Sequence, residues 1–297
     1  MPSEAGKMKI TEIYKKGSVP ISYEIFPPKG ELEASDVRSV LNSLADTRPA
    51  YISVTCSAGG SAGSESKTSE LCRITEREFG IVSAAHITCI NSTRAGVDEA
   101  AESIRRAGIK NMLALRGDRR EGCSSSDFRY GAELIEHLRR DSRNDGICIG
   151  AGCYPEGHVE CDELDIDIAH LREKQDAGAE FLISQLFFSN SSFYNFIEKA
   201  RARGVTLPVD AGIMPIMGKS QVTRMIFLCG ASLPSDVVKM LYKYESDPES
   251  LMRASLERTV RQIDELIASG AADGIHLYTM NKPEVAKYIM ENVNGRI

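Results

Sequence analysis

Short runs rich in β-forming residues alternate with longer amphipathic stretches eight times along this chain of 297 residues. A short apolar run predicts a strand, whereas a longer stretch with apolar residues every three to four positions predicts a helix. Regular alternation of the two favours a parallel sheet, because neighbouring parallel strands need a long, usually helical, connection. The pattern therefore predicts an α/β fold built from eight strand–helix units.

The predicted elements cover most of the chain. We expect strands at residues 20–26, 50–55, 80–88, 111–116, 147–154, 181–188, 208–214 and 274–279. We expect helices at residues 32–45, 67–78, 95–107, 127–141, 163–177, 191–203 and 283–293, with two further helical stretches, 219–228 and 248–268, after the seventh strand.

Eight such units are the number that closes a (β/α)8 TIM barrel. A doubly wound open sheet is the alternative, but it would usually divide a chain of this length into two domains. The sequence shows no Pro/Gly/Ser-rich linker and no break in composition. We therefore expect one domain, a (β/α)8 barrel over residues 1–297.

The composition argues against several functional classes. Apolar residues make up 42% and charged residues 26% of the chain, as in a soluble protein with an extensive core. The net charge of −6 gives no positive surface for a nucleic acid or an anionic membrane. No apolar stretch is long enough to span a bilayer, and the amino terminus lacks the apolar segment of a signal peptide. A cytoplasmic location is expected.

The eight cysteines form no C-x-x-C pair and are expected to be reduced thiols. Cys148, Cys153, His158 and Cys161 have the residue types of a metal site. However, Cys148 and Cys153 lie an odd number of residues apart on one predicted strand, so their side chains point to opposite faces. No metal site is expected.

Polar residues cluster where the predicted strands end. In a barrel of this class the active site lies at the carboxyl ends of the strands. The polar groups in or directly after the predicted strands are Glu24, Thr55, His86, Arg116, Asp118, Tyr154, His158, Gln185, Asn281 and Lys282. Their concentration at one end of the barrel predicts an active site there.

Glu24 stands in a strand-like run that two prolines terminate at Pro27 and Pro28. Alternation places Glu24 on the same face as Ser22 and Phe26. If both faces of the strand are covered, burial raises the pKa of the Glu24 carboxyl, and a carboxyl that is neutral near pH 7 can act as a general acid. The alternative is a glutamate on an edge strand that faces water, as most carboxylates do.

Other motifs have both structural and functional interpretations. Arg116-Gly117-Asp118 either brings the backbone close to a flat ligand or forms an exposed turn with its own ion pair. His86, in an apolar strand, is either a hydrogen-bonded core residue or a ligand contact. Asp167, His170 and Lys174 are spaced three and four apart, and their shared helix face either binds a ribose or phosphate group or faces solvent.

Residues 59–63, Gly-Gly-Ser-Ala-Gly, match the G-x-S-x-G sequence of a hydrolase nucleophile elbow. An elbow needs an immediate strand–turn–helix, whereas the predicted strand ends at Thr55 and the next helix begins near Lys67. A flexible loop over the barrel mouth is expected instead. No G-x-G-x-x-G follows the first strand, so the chain lacks a dinucleotide-binding fingerprint.

Six motifs occur in a characteristic order: SYEIFPP at 22–28, SVT at 53–55, HITC at 86–89, ALRGD at 114–118, YPE at 154–156 and HLYTMN at 276–281. From about residue 8 to 293 the chain resembles the methylenetetrahydrofolate reductase family, in its bacterial, flavin-dependent form with a single barrel.

The resemblance implies a TIM barrel that binds FAD, rather than FMN, across its strand ends. It implies that NAD(P)H and 5,10-methylenetetrahydrofolate react in turn at the flavin, and that the folate leaves as 5-methyltetrahydrofolate. Glu24 matches the general acid that protonates the folate nitrogen, Asp118 the carboxylate that binds the pterin and tunes the flavin, and Gln185 a residue shared by both substrates. Flavin contacts match Thr55, His86, Arg116, Gly117, Asp118, Tyr130, Gly131, Ala151, Tyr154, His158, Asp167, His170 and Lys174.

Some positions depart from the family pattern. His170 stands where the family often has an amide, and residues 212–219, which end at Lys219, lack the aromatic residue that often packs on the substrate. Lys282 stands where an arginine commonly binds the folate tail, and a lysine keeps the charge but loses the bidentate fork.

Two alternatives stay open. One is a reductase subunit that receives electrons from an iron–sulfur partner protein, and the other is a non-enzymatic pterin-binding barrel. A homo-oligomer is also expected.

Overall fold

The computed structural model describes residues 8–15, 17–27, 34–56, 64–118 and 126–294, together with Gly6. Within these residues, eight parallel strands close into one barrel in sequence order, with the last strand paired to the first. The strands are β1 (Ile21–Ile25), β2 (Ile52–Val54), β3 (Ser83–Thr88), β4 (Asn111–Leu115), β5 (Cys148–Cys153), β6 (Phe181–Ser184), β7 (Val209–Ile213) and β8 (Gly274–Tyr278). The predicted (β/α)8 barrel is confirmed.

Helices follow the strands around the barrel. They are α1 (Ala34–Ala45), α2 (Ser64–Phe79), α3 (Arg94–Ala107), α4 (Gly131–Arg140), α5 (Leu164–Asp176), α6 (Asn190–Ala202), α7 (Lys219–Cys229), α8 (Ser235–Lys243), α9 (Pro248–Ser269) and α10 (Pro283–Asn292). The G-x-S-x-G segment at 59–63 and the predicted helix start near residue 32 lie outside the described residues.

The sequence pattern does not predict α8, which has only nine residues. Its buried side chains, Val237 and Leu241, are a single pair spaced four apart, and this is too short a pattern to separate a helix from a loop. The helix is stabilised by tertiary packing, because both side chains join an apolar cluster with Leu186, Met214 and Val222.

The barrel strands pack against two separate apolar clusters, one between the strands and the helices and one inside the barrel. Tyr23 and Ile25 of β1 and Cys153 of β5 pack in the large cluster that includes apolar residues of the surrounding helices. Cys148 packs with Ile10 in a smaller cluster formed largely by residues at the amino ends of the strands, inside the barrel. The predicted opposite orientation of Cys148 and Cys153 is confirmed.

Two strand glycines allow close contacts inside the barrel. A Cβ at Gly150 would overlap the ring of Phe181, and a Cβ at Gly212 would overlap the carbonyl oxygen of Ser184. The Tyr278 hydroxyl also donates a hydrogen bond to the Ser184 carbonyl oxygen, at 2.7 Å. These glycines are therefore required by close approach rather than by an unusual backbone angle.

Several strands are shorter than their apolar runs. β6 ends at Ser184, although the run predicts a strand to residue 188. Leu186 and Phe188 are buried in the cluster with α7 and α8 and not in the sheet. Buried residues that follow a strand thus lengthen its apparent pattern. Within the described ranges, no helix combines the length and the apolar character needed to cross a membrane.

Candidate active site

A cavity of about 710 Å³ opens at the carboxyl ends of the barrel strands. This volume is within the range of small-molecule sites, and the position is the one where barrels of this class carry their chemistry. Eight residues predicted from the sequence line it, namely Glu24, Thr55, His86, Gly117, Asp118, Tyr154, His158 and Gln185.

Glu24 lies on the inward face of β1 with 13% of its side chain exposed. Burial raises the pKa of its carboxyl from 4.5 to about 8. The group is therefore mostly protonated at pH 7 and can donate a proton into the cavity. The alternative of a water-facing glutamate on an edge strand is wrong, because β1 pairs with β2 on one side and β8 on the other.

His86 of β3 lies beside Glu24 in the cavity wall, with 3.7 Å between its Nε2 and the Glu24 Oε2. This distance is too long for a hydrogen bond. Burial lowers the pKa of the imidazole to about 3, so the ring is neutral at pH 7. Among the described residues its buried Nε2 has no hydrogen-bond partner. Glu24 thus meets a neutral ring, and no ion pair forms.

A hydrogen-bonded chain beneath these residues is also neutral. The Ser22 hydroxyl donates to the Ile275 carbonyl, so the His276 Nδ1 carries the hydrogen that joins the two side chains at 2.7 Å. The His276 Nε2 then accepts from the Ser53 hydroxyl at 3.1 Å. Burial, and then the nearby His86, lower the pKa of His276 to about 3. Within the described ranges, the cavity floor therefore provides no cation that would lower the pKa of Glu24.

Gly117 turns the chain at the end of β4 with φ of 81° and places Asp118 at the exposed rim of the cavity. Arg116 forms a bidentate ion pair with Glu160, with both N–O distances at 2.8 Å. The exposed-turn alternative, in which Arg116 pairs with Asp118, is therefore not what the structure shows. No side chain among the described residues pairs with the Asp118 carboxylate, which lines the cavity.

Asp167 and Lys174 lie on the inner side of α5. Asp167 is 8% exposed, and burial raises the pKa of its carboxyl. The half-buried Lys174 ammonium donates to the Gly152 carbonyl oxygen at 2.8 Å and lies 5.3 Å from the Tyr154 ring centroid. The solvated-stripe alternative is wrong for these two residues. The Tyr130 ring stacks on the ring of His170, also on α5, with 5.9 Å between the centroids.

Eight predicted site residues are not part of the cavity lining: Arg116, Tyr130, Gly131, Ala151, Asp167, His170, Lys174 and Lys282. Ala151 is fully buried in the large cluster, whereas its neighbour Gly152 lines the cavity. Lys282 directly precedes α10.

Three residues near α5 have the types and the spacing of metal ligands. The potential ligand atoms of Cys161, Asp167 and His170 lie within 4.8 Å of one another. This group differs from the cysteine-based group that the sequence suggested.

One wall of the cavity is formed by residues that the sequence motifs do not indicate. Arg224, Met225, Leu228 and Cys229 of α7 line it, as do Met214, Tyr278 and Met280 near the ends of β7 and β8. The available signal was the position of α7 directly after β7, since segments that follow barrel strands build the mouth. Lys219, at the start of α7, forms an exposed ion pair with Glu245 at 2.7 Å and is not part of the lining.

Comparisons with known proteins agree with this architecture. A family model for methylenetetrahydrofolate reductase matches residues 9–294. Methylenetetrahydrofolate reductase 1 of Schizosaccharomyces pombe is 32% identical over 283 residues, which cover 94% of this chain and 46% of that protein. The 5,10-methylenetetrahydrofolate reductase of Pectobacterium carotovorum is 27% identical over 293 residues, which cover 99% of this chain and 95% of that protein.

A solved structure shares the barrel fold. It is an uncharacterized Clostridium thermocellum protein that binds two copies of 5-methyl-5,6,7,8-tetrahydrofolic acid. The TM-score is 0.65 at 11% identity, over 95% of this chain and 96% of that one. This chain spans about half the length of the yeast and plant relatives that it matches, from 46% to 50%. The family match across nearly the whole chain shows that the protein belongs to the methylenetetrahydrofolate reductase family.

Proposed function

We propose that this chain reduces 5,10-methylenetetrahydrofolate to 5-methyltetrahydrofolate, with FAD as cofactor and NAD(P)H as electron donor. The two substrates use the same barrel mouth in turn, and residues 1–297 act as one cytoplasmic catalytic barrel. The observation that carries the proposal is the buried, protonated carboxyl of Glu24 inside the cavity. The proposed reduction opens a carbon–nitrogen bond of the methylene bridge, and the nitrogen that leaves needs a proton from a general acid.

The residues around the mouth fit a flavin. A flat, polar ring system needs donors and acceptors along its edges and a backbone that approaches closely. His86, whose Nε2 has no hydrogen-bond partner among the described residues, lines the cavity together with Thr55 and Tyr154, and Gly117, with its positive φ, lies at the cavity rim. The stacked Tyr130 and His170 rings and the Lys174 ammonium of α5 would hold the adenosine and diphosphate portions.

Bound FAD would supply hydride transfer, accepting a hydride from the nicotinamide and giving it to the folate methylene carbon. Glu24 donates its proton to the folate nitrogen as the methylene bridge opens. The resulting carboxylate is buried, and the cationic iminium of the opened folate stabilises it directly. The neutral floor formed by Ser22, Ser53 and His276 keeps the proton on Glu24 until the substrate is present.

Gln185 and Asp118 orient the substrate. The Gln185 Oε1 accepts a hydrogen bond from the Leu186 backbone N–H at 2.9 Å, so its amide NH2 group is left to donate to a ligand. The Asp118 carboxylate at the rim accepts hydrogen bonds from the amino and amide N–H groups of a pterin. Both residues line the same cavity as Glu24.

Anaerobic spectroscopy of the purified, FAD-loaded protein tests the proposal. We expect NADH or NADPH alone to bleach the flavin absorbance, and 5,10-methylenetetrahydrofolate to restore it with formation of 5-methyltetrahydrofolate. Tetrahydrofolate without the methylene bridge is the control and should not restore the colour. A protein that cannot be loaded with flavin contradicts the proposal. Reduction that requires an added iron–sulfur protein would instead favour the electron-transfer subunit.

A further inference from the structure

One face of α7 forms a wall of the cavity mouth. Arg224, Met225, Leu228 and Cys229 line the cavity, and their spacing of one, four and five residues places them on one side of the helix. The opposite side does not face the cavity, because the Phe227 ring is 80% exposed to solvent. The wall thus combines an apolar surface, from Met225 and Leu228, with one cation.

Arg224 is the only lysine or arginine among the cavity-lining residues that the structure describes. Its guanidinium forms no ion pair with any residue that the structure describes. Other cations near the mouth differ: Arg116 is paired with Glu160, and Lys219 is paired with Glu245. Lys282, the cation that the family resemblance suggests for the folate tail, is not part of the lining. Arg224 therefore has the charge and the place to receive an anion that enters the cavity.

We propose that the inner face of α7 binds the aminobenzoyl-glutamate end of the folate. The Met225 and Leu228 side chains contact the aminobenzoyl ring, and the Arg224 guanidinium binds the glutamate carboxylates. This inference rests on the proposed function, which places the pterin at Glu24 in the depth of the barrel. The rest of the folate then extends towards solvent past the wall that α7 provides.

The chemistry of Arg224 suits a carboxylate tail. A guanidinium binds a carboxylate through two parallel N–H···O bonds, whereas the lysine at 282 offers a point charge. Arg224 is exposed at the rim, so its contribution is modest and screened by salt. We expect its loss to raise the KM for folate about threefold to fivefold, as for the strongest exposed ion pairs. The dinucleotide donor also carries anionic groups, and the experiment has to separate the two anions.

The experiment compares Arg224→Gln with the wild type in the FAD-loaded enzyme. The substrates are 5,10-methylenetetrahydrofolate and the corresponding methylenetetrahydropteroate, which lacks the glutamate. We expect the variant to raise the KM for the first and to leave the KM for the second and for the nicotinamide donor unchanged. The increase should shrink as the salt concentration rises. Arg253→Gln, which removes an exposed charge from α9 away from the cavity, is the matched control and should have no effect.

Other outcomes overturn the inference. An equal rise in KM for both folates, a rise only for the donor, or a larger effect of Lys282→Gln than of Arg224→Gln would each assign the tail to another group. Equilibrium binding of tetrahydrofolate and tetrahydropteroate to the wild-type protein separates the two proposals. If neither binds, the proposed function fails; if both bind equally well, only the role of Arg224 fails.

Discussion

Glu24 and His86 face each other inside the barrel with 3.7 Å between Oε2 and Nε2, and both side chains are neutral at pH 7. A protonated histidine at this place would hold Glu24 as a carboxylate and remove the acid. Burial of His86 prevents this, because it lowers the pKa of the imidazole to about 3. The site therefore maintains its acid by desolvating both partners.

The first prediction concerns pH. Since the pKa of Glu24 is about 8, its acid form is present below pH 8 and is lost above it. We expect the rate of folate reduction by the reduced flavin to fall as the pH rises through about 8. Stopped-flow measurement of this half-reaction at several pH values checks the prediction. A rate that is constant from pH 6 to about pH 9 would contradict it.

The second prediction concerns stability. An unfolded Glu24 loses its proton near pH 4.5, and the folded one near pH 8, so the unfolded state binds fewer protons between these values. Folding stability contributed by this group is therefore full below pH 4.5 and is lost as the pH rises towards 8. Glu24→Gln does not titrate, and we expect it to gain about 3 kcal/mol relative to the wild type between pH 5 and pH 8. Urea unfolding of the two proteins at both pH values measures the difference. If the free energy of unfolding falls equally in both proteins, burial does not raise the pKa of Glu24.

The third prediction concerns the barrel interior. Gly212→Ala places a Cβ against the Ser184 carbonyl oxygen, a backbone atom that cannot rotate away. We expect a loss of about 3 kcal/mol in the free energy of unfolding. Gly146→Ala is the matched control, because its Cβ would meet nothing within 4 Å and its φ is not positive. It should be neutral or slightly stabilising, since alanine reduces the entropy of the unfolded chain.

The barrel and its reactive end could be predicted from the sequence, because short apolar runs alternate with amphipathic helical stretches and polar residues stand where the runs end. The orientation of Glu24 followed from alternation along β1 and the prolines after it. The pKa of Glu24 could be anticipated only in direction, since the size of the shift depends on how fully the folded barrel buries the carboxyl.

The wall formed by α7 could not be predicted in the same way. Met225 and Leu228 look like core residues of an amphipathic helix, and only the folded structure shows that both line the cavity. Lys219 provides the opposite case, because it ends the segment in which the family often has an aromatic substrate contact, whereas its own side chain pairs with Glu245 and does not line the cavity. Long-range packing determines whether the α7 side chains and Lys219 line the cavity, and the local sequence periodicity carries no information about that packing.

The central claim is that Glu24 supplies the proton for folate reduction and takes no part in reduction of the flavin. Glu76 offers a matched control, because it is another buried glutamate, with a pKa raised by burial to about 7, and its Oε1 accepts a hydrogen bond from the Ser83 hydroxyl outside the cavity. Glu76→Gln should therefore retain both half-reactions.

Stopped-flow measurement of the two half-reactions in FAD-loaded Glu24→Gln is the most direct test. We expect the nicotinamide donor to reduce its flavin at a rate close to that of the wild type. We expect 5,10-methylenetetrahydrofolate to reoxidise that flavin at least about 100-fold more slowly than in the wild type, the range that a lost general acid costs. Reoxidation at the wild-type rate, or equal loss of both half-reactions, would show that Glu24 is not the acid.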